Sequence, residues 1–470
     1  MKVLTDGIDN FLQDESNSKS KGIEKVFIPE DEKEFLELLR QNNKPFTIYG
    51  GGTGLVGGAV SESGIIISTS ALNKIKIDAL NKTVKIGSGV LLKDLNKELF
   101  KYDLWYPVDS TEQTATIGGN VSTNAWGTRS FKYGSVRNFI LGLGLVFPFK
   151  KYFFINRGEI IANENIFSFS MDDKKINFKI IDLSEKFNIK NSAGYYMKNN
   201  MDLIDLFIGA EGTLGIITDI TLRVLDLPYD IYAIMIPFKD KYKTMEFVKY
   251  IKKQDVLSLE FIDNNSVNLI KQKYPVLKED KYFIFFEKEV SKENEDLVFE
   301  KLNDDLEKFG ISSNEITISS TRRKECLVYE IRESVPQTIN EILRHKKIRK
   351  ISTDFAVGDD NFDKMIKIYD NVLSKTKINY FIFGHIGMNN LHINFIPDDE
   401  KQRQEALELY DVLAKEITSI GGTVSAEHGI GKLKKRYLQY MYSNQIIDKM
   451  KGIKEIFDHD NLCNRGNIFD

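Results

Sequence analysis

Apolar positions along this chain change their spacing more than once, and each change marks a change of element. Behind Pro29 and a run of acids, Phe35, Leu36, Leu38 and Leu39 gather on one side, which predicts an amphipathic helix. The polar stretch before it reads as helical too, so the N-terminus is expected to carry helices. From Pro45 to about Leu225 short apolar runs alternate with glycine-bearing turns: Phe46 to Tyr49, Ile65 to Ile67, Thr83 to Ile86, and Ile216 to Leu225. This texture predicts a strand-rich α+β domain. The longest apolar run, Phe139 to Phe149, is broken by Gly142, Gly144 and Pro148. It is too short to cross about 30 Å of hydrocarbon as a helix and reads as a buried strand. Beyond Leu225 glycine thins out. Helix-like segments, Lys239 to Lys253 and Glu293 to Phe309, alternate with strands such as Tyr282 to Phe286 and Tyr380 to Phe383. The expectation is an α+β chain of three parts: a first domain over 1–225, a second with an antiparallel sheet over 226–420, and a C-terminal helical segment over 421–470.

Composition narrows the function. The chain has 470 residues, 42% hydrophobic and 28% charged, which is ordinary for a soluble protein with ample core. Lys plus Arg is 65 against 68 Asp plus Glu, a net charge of -3, so a general nucleic-acid binder is not expected. Cys326 and Cys463 are too few for a disulfide framework or a cysteine-rich zinc site. The opening MKVLTDGIDNFLQDESNS carries acids where a signal peptide needs an apolar stretch. A cytoplasmic protein is expected, without a transmembrane segment and with peripheral membrane attachment left open.

Six glycines fall within Gly50 to Gly58, directly after a strand. Gly52, Gly54 and Gly57 satisfy the dinucleotide pattern GxGxxG, but a strand at Ile65 follows where that pattern needs a helix. No Gly-Lys-Ser/Thr ends the loop, so it is not a P-loop. Two readings stay open: a tight turn, or a backbone stripped of Cβ atoms so that its N–H groups can approach an anion.

Five histidines occur, three of them in two motifs. In Phe383 to Phe395, apolar flanks surround Gly387-Met-Asn-Asn390, which reads as a hairpin with a four-residue loop in which His385 opposes His392. Two imidazoles so placed could grip one divalent cation. The second motif runs from Gly421 to Gly431 and contains Glu427-His428. A carboxylate completing a His₂Glu set leaves a coordination position open, as catalytic zinc requires, while the adjacent imidazole can act as a base. The competing reading treats each histidine as a hydrogen-bonded core or turn residue.

Taken together, the glycine loop, Pro107-Val-Asp109-Ser-Thr111, Ala115-Thr-Ile-Gly-Gly-Asn120-Val-Ser-Thr-Asn124-Ala-Trp-Gly127, Lys132-Tyr133-Gly134-Ser135 and Ile208-Gly-Ala-Glu211-Gly-Thr-Leu-Gly-Ile-Ile-Thr218 resemble, in order and spacing, the PCMH-type FAD-binding domain of the vanillyl-alcohol oxidase superfamily. The resemblance covers residues 25–225. It implies non-covalent FAD, because neither glycine segment holds a histidine, and it implies flavin contacts at Gly50, Gly51, Gly52, Thr53, Gly54, Leu55, Asp109, Thr116, Gly118, Gly119, Asn120, Thr123, Asn124, Gly127, Tyr133, Glu211, Gly212, Ile216 and Ile217, with Asn464 near the C-terminus. The two histidine motifs resemble GHxGxGNLH and GGxxSGEHGIGxxK of the FAD-linked 2-hydroxy acid dehydrogenases, the group of D-lactate dehydrogenase, glycolate oxidase and D-2-hydroxyglutarate dehydrogenase.

This second resemblance implies His385, His392 and Glu427 as ligands of a divalent metal, zinc foremost, and His428 as catalytic base. It further implies Arg332 and Asn390 at the substrate, with Arg332 on its carboxylate. The activity implied is oxidation of a D-2-hydroxy acid to the 2-oxo acid, with hydride passing to flavin N5 and an unidentified acceptor taking the electrons onward. Tyr49 stands where the family commonly has Arg, Met388-Asn389 replace Asp-Gly, Ala426 replaces Gly, and Arg465 replaces Pro. Two other readings are a non-redox flavoenzyme resembling alkyl-dihydroxyacetone-phosphate synthase, which needs no metal pair, and a flavin-binding accessory protein without chemistry of its own.

Overall fold

The computed structural model describes residues 1–171, 174–277, 281–321 and 326–470. The chain folds as two units, one of residues 1–127, 135–226 and 421–470, the other of residues 128–134 and 227–420. Both mix helix and strand, as the alternating periods require. Among the described residues no helix is long and apolar enough to cross a membrane.

The first unit contains a four-stranded sheet and a five-stranded sheet. In the four-stranded sheet Lys2–Leu4 pairs with Val26–Ile28, and Ile65–Ser68 lies between Val26–Ile28 and Phe46–Tyr49 in parallel pairs. The expectation of a helical N-terminus is corrected here. Only Glu32–Gln41 is an α-helix, preceded by two three-residue strands and the single 3-10 turn Asp9–Phe11. Val26-Phe27-Ile28 is a β-prone apolar triplet that joins the sheet, which outweighs the polar flanks that suggested helix. The helix itself starts where a cap residue permits: the Asp31 carboxylate accepts from the Glu34 N–H at 3.0 Å. Its Phe35, Leu38 and Leu39 pack with Phe46, Ile65, Ile67, Val146 and Ile216 in one core.

The second sheet runs antiparallel in the order Ile75–Asp78, Thr83–Gly87, Ile216–Arg223, Ile140–Phe147, Lys151–Asn156. The apolar run expected as a buried strand is Ile140–Phe147, seven of whose eight residues are buried. Residues 421–470 are woven into this unit, since Phe46 N–H donates to Leu462 O and Asn464 N–H to Phe46 O, both at 2.9 Å.

The second unit is built on a seven-stranded antiparallel sheet: Thr317–Ser320, Asp230–Phe238, Tyr282–Val290, Ser258–Ile262, Asn379–His385, Asn390–Ile396, Ile351–Ser352. Helices Asn264–Ile270 and Leu327–Lys346 pack on it through Val267, Ile270, Val328, Ile331, Val335 and Ile339. Pro336 sits inside the longer helix. Having no N–H, it withholds the usual i+4 donor from the carbonyl of Arg332.

Candidate active site

In the first unit the strand Phe46–Tyr49 delivers the glycine loop, and the chain passes directly to the strand Ile65–Ser68 with no helix between. The loop lies against the segment Thr114–Gly119 so closely that side chains are excluded. A Cβ on Gly50 would sit 2.6 Å from Thr116 Oγ1, and one on Gly51 would sit 2.8 Å from Thr114 O. Gly52 has φ +68°, and a Cβ there would meet the hydroxyl of Tyr49, which donates to Asn10 O at 2.8 Å. Tyr49 therefore buttresses the loop at Gly52. At Gly54 the space is open, with nothing within 4 Å of a Cβ.

The helix Ile117–Thr123 begins under this loop, capped by Thr116 Oγ1, which accepts from the Gly119 N–H at 3.2 Å. A Cβ on Gly118 would meet Ser88 Cβ at 2.6 Å, and one on Gly127 would meet Asp109 O at 2.5 Å. Asn124 ends the helix in the left-handed region and accepts from Ser135 Oγ at 2.8 Å. Thr123 donates to Gly119 O. Three buried polar atoms in these segments, Ser88 Oγ, Asn120 Nδ2 and Trp126 Nε1, lack a hydrogen-bond partner among the described residues. Buried polar groups are rarely left so. A polar ligand laid against a side-chain-free backbone would supply partners, so these residues fit a dinucleotide such as FAD.

Other expected flavin residues serve the frame. Glu211 accepts from the N–H groups of Ile430 and Gly431 at 2.7 Å each, and its backbone carbonyl accepts from Asn464 Nδ2 at 2.8 Å. Asn464 Oδ1 in turn accepts from Ile48 N–H at 2.7 Å. These bonds tie the strand Phe46–Tyr49, the Glu211 turn and the C-terminal segment together. A Cβ on Gly212 would collide with Asn464 at 2.4 Å. Ile216 and Ile217 are buried at the start of their strand, Ile216 within the apolar core. Tyr133 belongs to the 128–134 excursion of the second unit, where its hydroxyl donates to Glu289 at 3.4 Å.

Burial pushes the Glu211 carboxyl up to about 7 from an ordinary 4.5, against the two N–H donors, which pull it down. The folded chain thus holds this proton more tightly than the unfolded chain. The contribution is fully present below about pH 4.5 and is lost as pH rises through 7, a change of roughly 3 kcal/mol. Urea unfolding from pH 4.5 to 8 should show wild type losing this margin relative to Glu211→Gln. A difference between the two proteins that does not vary with pH would refute the assignment.

The Gly421–Gly431 segment brings Glu427 and His428 into the first unit. Glu427 Oε2 forms an ion pair with Lys190, whose side chain is 1% exposed, and the Lys190 ammonium stands 5.6 Å from the Trp126 ring. Glu427 Oε1 points the other way, 3.6 Å from His428 Nε2.

In the second unit, the strands Asn379–His385 and Asn390–Ile396 form the expected hairpin, but its register corrects the sequence reading. His385 pairs with Asn390 and Phe383 with His392, so the two histidines are diagonal neighbours with ring centroids 6.2 Å apart. The loop is a 3-10 turn over Ile386–Met388 closed by Asn389 at φ +51°, and it starts one residue earlier than expected. Both rings still lie on one face, because the register sum differs by two, an even number. Asn389 tolerates the left-handed position and locks it, donating to Val357 O at 3.1 Å and Asp359 at 2.8 Å. Gly384 leaves room for the His392 ring, whose Cδ2 would lie 2.9 Å from a Cβ.

His385 Nδ1 is 2.5 Å from Glu260 Oε1, and His392 Nδ1 is 2.8 Å from Thr353 O. An oxygen acceptor at Nδ1 makes that nitrogen the protonated one, so each ring offers its Nε2 lone pair to a cation. A carboxylate oxygen of the fully buried Asp354 lies within 4.8 Å of a His392 ring nitrogen. Arg332, on the Pro336 helix, donates to Thr128 Oγ1 at 2.9 Å and holds its Nε 3.6 Å from Glu260 Oε2. Asn390 is buried and donates to Phe355 O at 2.9 Å. Arg129 forms a two-pronged pair with Glu287 (Nε at 3.1 Å, Nη2 at 2.8 Å) and donates to the Tyr329 hydroxyl. Burial alone would raise the Glu287 carboxyl, yet the Arg129 charge and its bonds hold it below the usual range.

Sequence reasoning missed Glu260, Asp354, Arg129 and Lys190. Glu260 left a signal: it is the single acid in Ser258-Leu-Glu-Phe-Ile262, a strand buried at every position. The others left none, since their partners are remote along the chain.

The FAD binding domain matches residues 23–149, and the C-terminal domain of FAD linked oxidases matches residues 227–468. The chain is 31% identical to a D-lactate dehydrogenase of Anaerostipes hadrus, over 98% of this chain and 92% of that protein. It is 27% identical to a D-2-hydroxyglutarate dehydrogenase of Xanthomonas citri pv. viticola, over 90% and 83%. A solved alkyldihydroxyacetonephosphate synthase aligns with TM-score 0.66 at 17% identity, over 96% of this chain and 78% of that one, a likeness of fold alone. With one matched domain spanning more than half of its length, the chain belongs to the FAD-linked oxidases, PCMH-type flavoproteins in the family of the D-lactate and D-2-hydroxyglutarate dehydrogenases.

Proposed function

We propose that the chain oxidises a D-2-hydroxy acid to the 2-oxo acid, with non-covalent FAD and a divalent metal. FAD, when bound, supplies a two-electron acceptor for the hydride leaving the substrate's Cα. The metal, zinc foremost, supplies Lewis-acid polarisation of the α-hydroxyl. The loop Gly50–Leu55 and the segment Thr116–Asn124 hold the flavin nucleotide, backbone first. His385, His392 and Glu427 would hold the metal, two imidazoles and one carboxylate. Arg332 receives the substrate carboxylate in a charge-assisted pair, and Asn390 fixes the floor on which the acid lies. The unprotonated ring nitrogen of His428 takes the hydroxyl proton.

The donor set carries this reading: two imidazoles of one hairpin face have both Nδ1 atoms occupied by oxygen acceptors, the arrangement that presents Nε2 to a metal. Relatives named for D-lactate and D-2-hydroxyglutarate support the substrate class. Anaerobic mixing of the yellow protein with D- and L-lactate and D- and L-2-hydroxyglutarate should bleach the flavin with D-enantiomers only. Chelation should slow bleaching by more than about tenfold. Failure of every 2-hydroxy acid to bleach the flavin overturns the reading.

A further inference from the structure

A carboxylate buried in a strand is costly unless both of its oxygens find donors. Glu260 occupies such a position, with its side chain 6% exposed on the strand Ser258–Ile262. Its two oxygens are divided between two side chains of the same unit: Oε1 lies 2.5 Å from His385 Nδ1, and Oε2 lies 3.6 Å from Arg332 Nε. Strand pairing fixes this arrangement, because Phe261 pairs with Gly384 and Ile262 with Phe383, which brings the neighbouring Glu260 alongside His385. We propose that Glu260 is a positioning residue that sets His385 as a metal ligand and holds Arg332 ready for the substrate carboxylate, so that one buried acid serves both subsites. The proposal rests on the metal reading of His385 given above.

The physical effect on His385 is twofold. A carboxylate acceptor fixes the ring's rotation and its Nδ1–H tautomer, and its charge makes Nε2 a more basic donor. Arg332 gains an anchor for a long side chain that also donates to Thr128 Oγ1 at 2.9 Å. The 3.6 Å separation is longer than a direct hydrogen bond, so the guanidinium is oriented by charge and its donors are not used up on Glu260.

The test is zinc affinity of the flavin-loaded protein, measured by competition with a chromophoric chelator, for wild type, Glu260→Gln and His385→Asn. Glu260→Gln keeps the size and removes the charge. It should weaken zinc binding by ten- to a hundredfold, with unchanged flavin absorbance, and should raise KM for the D-2-hydroxy acid. Saturating zinc should restore kcat, which a merely misfolded variant would not allow. Should Glu260→Gln fail to fold, Glu260→Asp, which keeps the charge but cannot reach His385, should weaken zinc in the same direction. If His385→Asn loses zinc while the Glu260 variants bind it as tightly as wild type, the role of Glu260 falls and the metal site stands. If none of the variants changes zinc affinity, the metal reading fails and this proposal fails with it.

Discussion

Replacing His392 with alanine is expected to slow flavin reduction by a D-2-hydroxy acid by about a thousandfold, while the protein stays folded and yellow. The size follows from what the residue would supply. Lewis-acid polarisation is worth several kcal/mol, and about 4 kcal/mol corresponds to three orders of magnitude in rate. A donor set of two imidazoles and one carboxylate that loses one imidazole no longer holds the cation in one geometry. The structural cost is smaller. His392 is 7% exposed and bonds through Nδ1 to the Thr353 carbonyl, which also accepts from Ser352 Oγ at 3.5 Å, so alanine removes the shorter of two bonds at that carbonyl, a cost of about 1 kcal/mol. Single-turnover reduction, metal content and visible absorbance, read on the same sample, separate the alternatives. Near-normal reduction with metal retained would remove His392 from the site, and loss of flavin together with activity would make it a structural residue.

The histidine hairpin shows what a sequence can reveal and where it stops. Apolar flanks around a turn predict two strands and place His385 and His392 on one face, because strand side chains alternate with a period of two. The register is decided by the turn itself. Asn389 can take the left-handed conformation, so a four-residue loop closes over Ile386–Asn389 and moves each histidine to a diagonal position. The glycine loop was legible for a steric reason, since contacts of 2.6 to 2.8 Å at Gly50, Gly51 and Gly118 admit no side chain. The N-terminus misled because polar flanks resemble helix, while three β-prone residues at Val26–Ile28 were enough to join a sheet. Glu260 and Lys190 escaped notice because their partners lie 125 and 237 residues away, and no local period encodes such pairs. The excursion at 128–134 was invisible for the same reason: it belongs to the second unit through contacts such as Lys132 N–H to Leu257 O and Arg129 to Glu287.

Lys190→Met should destabilise the metal-free protein by about 3–5 kcal/mol, among the largest single-residue effects available here. The Lys190 and Glu427 side chains are 1% and 10% exposed, so their ion pair is made with little water to replace either partner. Methionine keeps the bulk beside Trp126 and removes the charge, leaving the Glu427 carboxylate buried with His428 Nε2 at 3.6 Å from Oε1. Adding Glu427→Gln removes the carboxylate charge that Lys190 offsets, so the double variant should recover most of the loss, and the cycle between the four proteins isolates the pair. Urea unfolding of chelator-treated protein measures it, and a loss under about 1 kcal/mol in the single variant would mean that the pair is solvated as a surface pair is. Zinc adds a further check on Glu427 as a ligand. A cation donated to by Oε1 would take over the neutralising role of the missing ammonium, so zinc should stabilise Lys190→Met more than it stabilises wild type. Equal stabilisation of the two proteins by zinc would place the cation away from Glu427.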